Sequence, residues 1–239
     1  MIKNIWTIFK KEFSLYFNSP IAYIFITVFL VVSTWFFMGR FFMVAQADMR
    51  MYFQMMPWVF LFFVPAVAMR LWAEERKSGT MEVLLTLPFR DFEIVCAKFL
   101  AAFAFLVLTV ALSFPIPVTL AYLGSPDIGP ILGGYIGAFF LGAAYLAIGM
   151  FISSFSDNQI IAFIISVVIT FILLIVGESF VLQSMPALIK PTAEYLGLGS
   201  HFQNIGRGVI DTRDVVYYLS IIFVFIYATM RQLESRLWA

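Results

Sequence analysis

The chain has 239 residues, 62% of them hydrophobic and only 12% charged, against about 45–50% and 25% in soluble domains. Mean hydropathy is +0.96 and the apolar residues run the whole length, which leaves a single membrane domain over residues 1–239 and no room for a fused soluble enzyme of roughly 100 residues or more. A formal net charge of +1 gives no global attraction for nucleic acid or acidic ligands, while one cysteine and one histidine exclude an internal disulfide and a Cys-rich or His-rich metal site.

The first seventeen residues are predicted to form an amphipathic helix. Ile2, Ile5, Trp6, Phe9, Phe13, Tyr16 and Phe17 share one arc at 100° per residue, with Lys3, Asn4, Lys10, Lys11 and Ser14 opposite. Such a helix, within residues 1–19, is expected to lie in the cytoplasmic interface, stopped by Asn18-Ser19-Pro20.

A hydrocarbon core of about 30 Å needs about 20 apolar helical residues. Six stretches are predicted to cross it: Ile21 to Met38, Phe53 to Met69, Phe99 to Tyr122, Ile131 to Phe155, Ile160 to Val176, and Val215 to Met230. An even number of spans puts both termini on one side. With the termini inside, Lys3, Lys10, Lys11, Arg70, Arg76, Lys77, Arg90, Lys98, Arg231 and Arg236 are cytoplasmic, and only Arg40, Arg50, Lys190, Arg207 and Arg213 are outside. The bias places both termini in the cytoplasm.

Pro65 in the second span, and Pro115 and Pro117 toward the outer end of the third, predict kinks or unwound turns, since each removes a backbone donor. In the fourth span Gly133, Gly137, Ala138 and Gly142 form a small face for close helix approach, either inside the subunit or at a dimer seam.

The longest cytoplasmic connection runs from Leu71 to Lys98, between the second and third spans, and residues 71–90 are its most informative part. Arg70 to Lys77 extends the second span, and Gly79 is suited to end it in a left-handed turn. Thr80 then offers an N-cap to a short helix, with Glu82 in its first turn. Val83, Leu84, Leu85 and Leu87 make a leucine ridge before Pro88, and Asp91 is placed to cap the third span. Such a ridge beside a charge cluster either docks into a groove on a cytoplasmic partner or dips into lipid.

The run from Met69 to Pro88, with its acidic pair, Gly-Thr-Met-Glu, leucines and proline, resembles the coupling region of type-two ABC export permeases. The resemblance looks closest to the gliding-motility branch and extends over nearly the whole chain. It implies an all-α integral membrane fold: six transmembrane helices, an N-terminal interfacial helix, a cytoplasmic coupling helix and short outer re-entrant helices within residues 183–214. It implies a homodimer or heterodimer of permeases in the bacterial cytoplasmic membrane, seated on two copies of an ABC ATPase that binds ATP and Mg, with no cofactor in this chain. Carried over by residue, Glu74, Glu75, Gly79, Thr80, Glu82, Leu84 and Leu85 would couple to the ATPase, and Trp72 would anchor the element at the interface.

On the outer side, the resemblance extends to Ser200 to Asp211, so that His201, Phe202 and Arg207 are nominated for contact with substrate or a periplasmic partner. Glu178, near the outer end of the fifth span, joins them as an intramembrane carboxylate, with capping of a re-entrant helix as its structural alternative. His201 is either a pH or ligand contact or an interfacial histidine satisfied by backbone.

No Gly-x-x-x-x-Gly-Lys-Ser/Thr run occurs, so phosphate cradling must come from a partner. A zinc-protease His-Glu-x-x-His is impossible with one histidine, and the residue four after Glu75 is Gly79 where a prenyl-protein endopeptidase motif needs arginine. Two outputs remain: export, or a non-transporting scaffold that passes ATPase motion to an envelope partner, as in gliding-motility complexes.

Overall fold

The computed structural model describes residues 2–44, 48–81 and 88–236. Every regular element among them is helical. Helix α1 spans Ile2–Asn18 and α2 spans Pro20–Val44, with Ser19 at the break and Pro20 opening α2, where its missing N–H costs no hydrogen bond.

Helix α1 packs along the third predicted span with part of its aromatic arc, Ile5, Phe13, Tyr16 and Phe17, joined by Ile8 from outside that arc. Ile8 is buried, Ile5 and Tyr16 face the core, and Tyr16 stacks on Phe105 at 4.9 Å between centroids. Trp6 stays 55% exposed. Polar contacts that hydropathy does not register add to this seat: Asn4 donates to Glu93, and Glu12 reaches Lys98.

Helix α3, Arg50–Ala68, continues almost directly into α4, Arg70–Ser78. The break falls at Met69, whose N–H bonds the carbonyl of Pro65 at 2.8 Å. Pro57 also lies inside α3, a second interior proline. The third predicted span is likewise two helices, α5 over Asp91–Ala111 and α6 over Pro115–Leu123, with Pro115 opening α6 after a three-residue turn. Residues 112–114 thus hold the predicted kink.

Helix α7, Ile128–Ser153, is the hub. Its most apolar window is 78% buried, against 22% for α2 and 22% for the last long helix, so the latter two lie at the periphery. The small face of α7 is used inside the chain. Gly133 lies against the Ile205 carbonyl and Gly208, Gly137 against Phe202 and Ile205, and Gly142 against Leu106 and Phe60. Gly208 itself has φ +89°, a conformation that favours glycine.

Helix α8 covers Gln159–Ile175, capped by Asn158, whose side chain accepts from Ile160 N at 2.9 Å. Three short helices follow: α9, Ser179–Ser184; α10, Lys190–Leu196; and α11, Leu198–Gly206. Helix α12, Thr212–Arg236, completes the described fold.

Among the described residues, five segments are long and apolar enough to cross a membrane: Pro20–Gly39, Arg50–Ser78, Asp91–Leu123, Ile128–Ser153 and Thr212–Ser235. The fifth predicted span, α8, is apolar but has only 17 residues, about 26 Å of helix at 1.5 Å per residue.

Candidate functional site

The predicted coupling region begins on α4, and the structure shows what holds that helix. The ammonium of Lys98, on α5, is 2.7 Å from Glu75 on α4 and 3.2 Å from Glu12 on α1, and the Lys98 side chain is only 2% exposed. Its Nζ also lies 5.3 Å from the centroid of the Trp72 ring. One cation therefore ties three helices together. A buried ammonium is tolerated only when paired, and here two carboxylates and an aromatic face replace water.

Ser153, the last residue of α7, secures the break between α3 and α4. Its hydroxyl oxygen accepts from Trp72 N at 3.1 Å and Ala73 N at 3.0 Å and donates to Met69 O at 2.9 Å. Those are groups that an uninterrupted helix would satisfy internally. Arg76 adds a bond to the Ser154 carbonyl at 2.8 Å. Burial, with the charge of Glu12 beside it, pushes the Tyr16 hydroxyl above its ordinary range, so it stays a neutral wall of this junction.

The nominated residues divide. Glu75 enters the junction, whereas Glu74 points outward and pairs with Arg70 at 2.9 Å. Gly79 ends α4 at φ +69°, the left-handed conformation expected of it. Thr80 is exposed, its hydroxyl 2.9 Å from that of Ser78. Trp72 is fully buried within the protein instead of sitting at an interface, because Lys98 and the end of α7 enclose it. Glu82, Leu84 and Leu85 lie outside the described residues. Asp91 does not cap α5: the Glu93 carboxylate accepts from Arg90 N at 3.1 Å, three residues back, where a side chain reaches the open N–H better than Asp91 can from the first helical position.

At the opposite end, Glu178, Phe202 and Arg207 line a cavity of about 320 Å³ together with Arg50, Trp58 and Gln203. Gln203 donates to Glu178 at 3.3 Å, and the Glu178 carboxylate packs over Gly199 in the first turn of α11, a position the helix dipole favours. His201 is not part of this cavity. It is buried on the other side of α11, with Nδ1 2.5 Å from Asp214 Oδ1 and Nε2 2.9 Å from the Tyr195 carbonyl.

Lys98, Glu12 and Ser153 were absent from the residues nominated by sequence. A lysine between Cys96-Ala97 and Phe99-Leu100 was the available signal, because a cation in an apolar helix demands a partner. Nothing local points to Ser153.

A multi-pass α-helical membrane protein whose two ends carry separate polar junctions is the class that fold and site define. A family model described as ABC-2 family transporter protein matches residues 44–229. The chain belongs to the ABC-2 transporter family, whose members are membrane permease subunits of ABC systems and work with an ABC ATPase. No match is found among curated proteins.

Proposed function

We propose that this chain is the permease subunit of an ABC export system in the bacterial cytoplasmic membrane, with six spans, both termini cytoplasmic, and function as a dimer. Each copy seats the segment 71–90 on one of two ATPase subunits, which bind ATP and Mg and supply the power stroke. Glu74, Gly79, Thr80, Glu82, Leu84 and Leu85 form the docking element, and Glu75 links it to the bundle.

The observation that carries this reading is the Lys98 junction. A displacement of α4 by a docked partner cannot remain local, because Glu75 is joined through Lys98 to α5 and through Glu12 to α1. Rigid attachment of a short docking element to three helices is what force transmission needs. The reading is tested by co-purification with the cognate ATPase: replacing Glu74 and Glu75 by Lys, or Leu84 and Leu85 by Asp, should abolish it with the spans still inserted. Normal co-purification would sink the coupling assignment.

A second reading, mechanical action on an envelope partner as in gliding-motility complexes, is favoured by the outer helices. Leu188 is 90% exposed, with Ile189, Tyr195 and Leu196 also exposed around it. That ridge would serve as the partner's seat, with substrate or partner also contacting Glu178, Phe202 and Arg207.

A further inference from the structure

Between α1, α4 and α5 lies a cavity of about 590 Å³, open on one side, whose wall includes Glu74, Glu75 and Thr80 of the proposed docking segment. Its charged lining is Lys11, Arg70 and Lys98 against Glu12, Glu74 and Glu75. Two of the cations are committed, Lys98 to Glu12 and Glu75, and Arg70 to Glu74. Lys11 makes no ion pair among the described residues, is exposed, and lies close enough to act electrostatically on Glu75. On the acidic wall, Glu74 keeps half its side chain exposed beyond its bond to Arg70, and Glu75 Oε2 is enclosed with no protein donor reaching it.

We propose that this cavity binds the headgroup of a phospholipid carrying a primary ammonium, of the phosphoethanolamine type. Lys11 receives the phosphate, and Glu74 receives the ammonium, with the charge of Glu75 behind it. A purely anionic headgroup would meet three carboxylates. A quaternary ammonium has no N–H to donate. Leu15, Tyr16 and Leu71 supply an apolar floor for the glycerol end, and Asn18 and Ser19, at the foot of α2, put the opening where an interfacial helix meets the first span. The assignment rests on the membrane placement of α1 proposed above and not on ATPase docking.

The test titrates the purified full chain with phosphatidylethanolamine, phosphatidylcholine and phosphatidylglycerol of matched acyl chains, read by native mass spectrometry. Phosphatidylethanolamine should bind about tenfold tighter than either competitor, and Lys11→Ala and Glu74→Gln should each remove that preference, since a charge-assisted hydrogen bond supports about a tenfold change. Both side chains face solvent, so an unchanged melting temperature verifies the fold. Equal binding of the three lipids, preference for phosphatidylglycerol, or unaltered preference in both variants overturns the proposal. A nitroxide on Ser14→Cys, with Cys96→Ser, separates the two premises through relaxation by a nickel-chelating lipid. A bulk-water signal overturns the placement of α1 and the lipid assignment with it; an interfacial signal without phosphatidylethanolamine preference overturns the lipid assignment alone.

Discussion

The imidazole of His201 lies flat on the ring of Tyr217, centroids 3.9 Å apart and planes 20° apart, while the Tyr217 hydroxyl donates to Leu196 O at 2.6 Å. Tyr218, next in sequence, donates to Leu198 O at 2.7 Å. Both nitrogens of His201 face acceptor oxygens, Asp214 and the Tyr195 carbonyl, so the first turns of α12 grip the junction between α10 and α11 through three side chains. His201→Ala should lower stability by roughly 2–3 kcal/mol, from lost stacking and an unpaired buried Asp214. Hydrogen exchange at Leu196 to Phe202 should rise, and exchange in α5 should not.

Lys98→Met should destabilise by roughly 3–5 kcal/mol, because it leaves two carboxylates facing each other in a buried place. The triple variant Lys98→Met, Glu12→Gln, Glu75→Gln should recover most of that loss in thermal unfolding in detergent. A triple variant no more stable than the single one would show that packing of the lysine stem, not charge pairing, holds the junction. If α4 transmits force, this triple variant should retain the ATPase while weakening the link between its motion and α1, read as a changed spin-label distance response to nucleotide.

Ser153→Ala removes two accepted bonds and one donated bond at the α3–α4 break. A loss of roughly 2–3 kcal/mol is expected, with hydrogen exchange rising at Trp72 and Ala73. Unchanged protection of those two amides would mean the break is held by packing alone.

Gly133→Ala should separate α7 from α11, since the added methyl would fall on backbone, the Ile205 carbonyl and Gly208. Gly39→Ala is the control: nothing lies within 4 Å of its added methyl. The first should lower the melting temperature and the second should leave it unchanged.

Cysteine labelling in intact cells should find Thr80→Cys accessible from the cytoplasm and Asn204→Cys from outside, each in a Cys96→Ser background. Thr80 and Asn204 are both exposed, so access depends on sidedness. Labelling of both from one side would overturn the proposed topology.

Much of the helical layout was legible in the residues because it depends on local chemistry. Pro115 breaks the third predicted span, Gly79 turns left-handed, and the glycines of α7 pack closely, all as their types require. The seat of α1 was less legible. Tyr16 and Phe17 of its aromatic arc do meet Phe105 on α5, but Trp6 stays exposed while Asn4 and Glu12 bond Glu93 and Lys98, because polar partners on a neighbouring helix leave no periodicity to read. Trp72 illustrates the same limit, since an aromatic residue beside a charge cluster suits an interface or a core equally well.

By itself the sequence determined a membrane bundle and its helix breaks. In hydrocarbon each backbone N–H and C=O must be satisfied within its own helix, so apolar length and proline position suffice. Only the tertiary structure decided which polar groups meet. Ser153 completes a helix break separated from it by 81 positions at Trp72, and Lys98 takes its two carboxylates from different helices. Such pairings carry no local periodicity; they exist because the low dielectric of the packed bundle makes an unpaired charge or amide costly wherever segments happen to converge.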